Sequence, residues 1–117
     1  MERSILIIDA DRDVVEILAD LLDEEGYRIR AAFDEEEAFR EIAREPPDLV
    51  VADVNMPQVE GVTLTNQLRA RDIHIPVVLL STAYAEVDVP GVQFVPKPFD
   101  LEYIIEVIAR IFTDLGR

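Results

Sequence analysis

Asp53 ends an unbroken apolar run, Leu49-Val50-Val51-Ala52, and is followed by Asn55, Met56, Pro57 and Gly61, a loop marked by Pro and Gly. A parallel strand buried on both faces reads as a continuous Val, Ile and Leu run. Ligands of open α/β sheets bind outside the carboxyl ends of such strands, where the strand order reverses. Asp53 is therefore the first residue placed for chemistry. Three further polar groups follow strand-like runs: Asp9, with Asp11 two residues on, after Ile5–Ile8; Thr82 after Pro76–Leu80; and Lys97 after Val92–Val95. The set comprises carboxylates, a hydroxyl and an ammonium. Lys97 is a lone lysine facing several carboxylates, and ligand binding at one edge of a sheet is the chemistry such a set can serve.

The elements that must position these groups are legible from periodicity. Strand-length runs occur at Ser4–Ile8, Leu49–Ala52 and Pro76–Leu80, with shorter ones at Arg28–Ala32 and Val92–Val95. Val14, Ile17, Leu18, Leu21 and Leu22 recur at helix spacing until Gly26, so Asp11–Glu25 is predicted as an amphipathic helix. Asp34 with Glu37 has the form of a capping box, and the helix that follows stops at Pro46-Pro47. Leu64 and Leu68 mark a weaker third helix, and Leu101, Ile104, Ile105, Ile108, Ile111, Phe112 and Leu115 a strong last one with Asp100 as N-cap. Strands alternating with helices imply an α/β fold, a parallel sheet with right-handed crossovers. The crossover over Thr82–Gly91 breaks the pattern, because ten residues that include Pro90 and Gly91 leave room for one helical turn at most.

Composition bounds the function. The 117 residues, 50% of them hydrophobic, suffice for one domain with a sizeable core, so residues 1–117 are expected to form a single unit. There is no cysteine, hence neither a disulfide nor a thiolate metal site, and no apolar run of membrane-spanning length or secretory leader. A cytoplasmic protein is expected. Eleven basic against 25 acidic side chains give a net charge of -14, which repels phosphate backbones and argues against direct nucleic-acid binding. Basic protein surfaces and cationic ligands suit it better.

Asp9-Ala10-Asp11, Asp53 with Asn55-Met56-Pro57, Thr82-Ala83 and Lys97-Pro98-Phe99, in that order in a chain of this length, resemble the receiver domain of two-component response regulators. The likeness runs from Ile5 to about Leu115. It implies a doubly wound, flavodoxin-like sheet of five parallel strands in the order 2-1-3-4-5. It also implies a phosphoacceptor switch in a His-Asp phosphorelay. Asp53 would accept a phosphoryl group from a sensor histidine kinase or a histidine phosphotransfer protein, and Mg²⁺ would neutralise charge on the transferring oxygens. Asp9, Asp53 and the backbone carbonyl of Asn55 would hold the metal, while Thr82 and Lys97 would each bind a phosphoryl oxygen. A downstream protein or output domain would read the result. Apart from Mg²⁺-dependent phosphorylation and dephosphorylation of itself, such a domain is no enzyme. Phe94 occupies the place of the family's switch aromatic, although an aromatic in a strand is commonly core. His74, the single histidine, is expected to be a solvated loop residue.

Two departures stand out. The family usually has two consecutive acidic residues after the first strand, and the second place is Ala10 here, so one hard-cation ligand is missing. Asp11 is expected to serve as N-cap rather than to replace it, since successive side chains diverge at a strand end. Secondly, the short fourth crossover leaves the helix between the fourth and fifth strands absent or very short. The exposed surface would then need cover from a partner, a second copy of the chain in a homodimer, or the loop itself.

Two other functional readings share these residues. A pseudo-receiver would bind partners constitutively without phosphorylation, which Ala10 and the short crossover favour. A haloacid-dehalogenase-like phosphatase would use Asp9-Ala10-Asp11 as its Asp-x-Asp nucleophile motif, but no acidic pair for Mg²⁺ follows Lys97 and the chain is short for that family. No output domain follows Arg117, which fits either a stand-alone receiver or a piece of a longer protein.

Overall fold

The computed structural model describes residues 2–53, 61–81, 91–96 and 100–115, without the side chains of 53, 61–65 and 81. Five strands, β1 (Ser4–Ile8), β2 (Arg28–Ala32), β3 (Leu49–Asp53), β4 (Val77–Ser81) and β5 (Val92–Pro96), alternate with α1 (Arg12–Glu24), α2 (Glu35–Arg44), α3 (Gly61–Ala70) and α4 (Leu101–Asp114). The sheet runs β2-β1-β3-β4-β5 and every pairing is parallel. The order reverses between β1 and β3, which is the switch point of a doubly wound sheet.

Alternation along the strands sorts the core onto two faces. Ile5, Ile7, Leu49, Val51, Val78, Leu80 and Val95 join α1 and α4 through Leu18, Leu22, Ile104 and Ile108. Leu6, Ile8, Val50, Ala52, Val77 and Leu79 join α2 and α3 through Ala38, Ile42 and Leu68. Each central strand is thus buried on both sides, which explains why its sequence is a solid apolar run. At roughly 25 cal/mol per Å² of apolar area removed from water, these two layers dominate the stability.

Local chemistry fixes the helix ends. Asp11, Asp34 and Asp100 are extended N-caps whose side chains accept amides of the first turn. The Glu37 amide donates to Asp34 Oδ1 at 2.8 Å, as the capping box predicts, while Glu37 Oε1 accepts the amide of Phe33, one residue before the N-cap, at 3.2 Å. At the end of α1 the Gly26 amide donates to the Asp23 carbonyl and the Tyr27 amide to Leu22, with Gly26 at φ 95°, a Schellman motif for which glycine is suited. Asp72, at φ 61°, plays the same part after α3, where the Ile73 amide donates to the Leu68 carbonyl.

The C-terminal turn of α2 is bound to the edge strand by arginine. Arg30 Nη1 donates to the Glu41 carboxylate at 2.9 Å and to the Glu41 carbonyl at 3.2 Å, and Nη2 donates to the Glu45 carbonyl. The Glu41 carbonyl also accepts the Glu45 amide at 3.0 Å, so Arg30 adds to the last intrahelical bond and meets the Glu45 carbonyl beyond it. Residues 82–90 lie outside the described part, and with them the expectation of an absent or very short helix in the fourth crossover.

Candidate functional site

The C-terminal ends of β1 and β3 are adjacent, and their register pairs Ile8 with Ala52. One step further along the two strands stand Asp9 and Asp53. Asp9 directly follows β1, is only 2% exposed, and is tied to β2 by its amide, which donates to the Ala32 carbonyl at 3.1 Å. Its Oδ1 accepts the Asp11 amide at 2.9 Å, which orients the carboxylate and turns the chain towards α1. Burying a carboxylate is costly unless polar partners or a cation compensate, so its presence at the switch point has no packing explanation.

Asp11 does what its position predicts: it is exposed, and its Oδ1 accepts the amides of Asp13 at 2.9 Å and Val14 at 3.4 Å. Ala10, between the two, is exposed. The backbone of Asp53 closes β3 opposite Leu80, and the last β4–β5 pair is Ser81 with Pro96. Thr82 and Lys97 directly follow that pair in sequence; they and Asn55 lie outside the described residues. Phe94 is half-buried against the α2 and α3 face of the sheet, as a core aromatic would be. His74 is exposed in the loop before β4 and contacts Asp72 Oδ1 at 2.8 Å, the solvated placement expected of it.

Among the described residues no three carboxylates or imidazoles form a metal-sized group. The donor described at this end of the sheet is the buried Asp9 carboxylate, an oxygen ligand. That donor chemistry fits a hard divalent cation such as Mg²⁺, which keeps several of its waters and needs few protein ligands.

A feature that sequence reading passed over lies on the β2 side of Asp9. The guanidinium of Arg12 is stacked over the Phe33 ring at 4.0 Å from its centroid. Phe33 immediately follows the Ala32 carbonyl that holds the Asp9 amide. The signal was present as an arginine in the first turn of a helix, the end that disfavours cations, but apolar periodicity does not register it.

The all-parallel sheet with helices on both faces, its order reversing at a buried carboxylate, defines the class: a flavodoxin-like α/β domain of the chemotaxis-regulator type. Residues 5–109 match the family model of the response regulator receiver domain, and the chain belongs to that family. It is 38% identical over 119 residues to the response regulator MprA of Mycobacterium leprae, covering 97% of this chain and 51% of that protein. It is 33% identical to the alkaline phosphatase synthesis transcriptional regulatory protein PhoP of Bacillus subtilis, covering 100% of this chain and 50% of that one. The chain thus spans about half the length of these relatives. Among solved structures, a two-component response regulator from Clostridium difficile superposes with a TM-score of 0.89 at 25% identity, covering 99% of this chain and 100% of its own. The receiver domain of the hybrid histidine kinase CckA superposes with a TM-score of 0.79 at 31% identity, covering 92% and 96%.

Proposed function

We propose that this receiver domain is a phosphoacceptor switch in which Asp53 takes the phosphoryl group. The observation that carries the reading is the buried Asp9 carboxylate at the switch point, one strand away from Asp53 and level with it. An Asp53 oxygen attacks phosphorus as the bond from phosphorus to the donor's imidazole nitrogen breaks. Mg²⁺, held by Asp9, Asp53 and the Asn55 carbonyl, would supply positive charge to the transferring oxygens. Thr82 and Lys97 each bind one phosphoryl oxygen, and the Thr82 hydroxyl is drawn inward as a result. The donor is a sensor histidine kinase or a histidine phosphotransfer protein, and the reader is a downstream protein or output domain. The crossover region beyond β4 and β5 is the surface that changes, and a second copy of the chain is one partner that fits it. The reaction is the domain's own modification rather than turnover of a substrate.

Incubation with Mg²⁺ and acetyl phosphate, read by intact mass, tests this. A single added phosphoryl group that Asp53→Asn abolishes supports the switch. Label that survives Asp53→Asn and vanishes with Asp9→Asn would favour phosphatase-like chemistry. Ala10 favours the second reading, a pseudo-receiver, and an unmodified protein with no beryllofluoride-induced NMR shifts would establish it.

A further inference from the structure

We draw no further inference here: the strongest candidate, the groove between the N-terminal ends of β4 and β5 and the last turn of α4, lined by Pro76, Val92, Ile111, Asp114 and Leu115, carries nothing, because nothing in the structure shows what covers it.

Discussion

Ala10 is the residue on which the strength of the metal site turns. It is exposed beside a buried Asp9 whose geometry is already fixed by the Asp11 and Ala32 backbones, so a carboxylate can be added there without disturbing the core. Ala10→Asp should tighten Mg²⁺ binding about tenfold, the change expected from one more charged oxygen near a divalent cation. Titration of the Asp9 and Asp53 amide resonances checks this, and unchanged affinity would mean that another oxygen already fills the place. Lys97 permits a second test, since it is the one lysine among eleven basic residues. If its ammonium binds a phosphoryl oxygen, beryllofluoride with Mg²⁺ should slow its reaction with an amine-selective reagent several-fold, while labelling of the N-terminal amine stays constant. Mass mapping separates the two amines.

At the scale of elements, the attachment of α2 to β2 depends on charge. A hydrogen bond from Arg44 holds the Glu41 carboxyl below the usual range; desolvation opposes it, and a weaker hydrogen bond from Arg30 adds to the lowering. A carboxyl lowered in the folded state adds stability that is present above its unfolded value, near 4.5, and is lost as pH falls through the folded one. Thermal unfolding followed from pH 7 down to pH 3 should therefore show a steeper acid loss for the parent than for Glu41→Gln. Parallel curves would show that the carboxylate adds nothing to α2 docking.

The elements themselves were largely legible, because two-sided burial writes itself into sequence. Ser4–Ile8 and Arg28–Ala32 match β1 and β2 residue for residue. β4 begins one residue later than its apolar run, at Val77, since Pro76 has no amide to offer and contributes only its carbonyl, to the Val50 amide. β3, β4 and β5 each extend one residue past their runs, to Asp53, Ser81 and Pro96, because ladder pairing does not require an apolar side chain. Asp9 was visible at the end of its strand. The roles of Arg12 and Arg30 were not, since an arginine stacked on a ring or bonded to carbonyls leaves no periodic trace.

For the whole molecule, net charge is the largest lever. A charge of -14 on 117 residues is self-repulsive in the compact state. Raising NaCl from about 0.02 to 0.5 M shortens the screening length from roughly 20 Å to about 4 Å and should raise the melting temperature by several degrees. Differential scanning calorimetry would measure it. A fall would mean that the surface ion pairs Arg28–Glu45, Arg40–Glu36 and Arg44–Glu41, which salt weakens, outweigh the repulsion.

The central position of β1, with β2 on one side and β3 on the other, has a consequence for the order of assembly. Residues 4–53 contain three neighbouring strands and the helices between them, so a nascent chain can close β2-β1-β3 before β4 exists. At about 5–20 residues per second, the 28 residues from 54 to 81 that complete β4 take on the order of 1 to 6 s to synthesise. Throughout that interval β3 presents a bare edge of Leu49, Val50 and Val51, without β4 to pair it and without Ile104 and Ile108 of α4 to complete its core cluster. An unpaired apolar edge is a template for another chain. Translational pausing shortly after β3 should therefore be the stage at which this protein is most prone to aggregate.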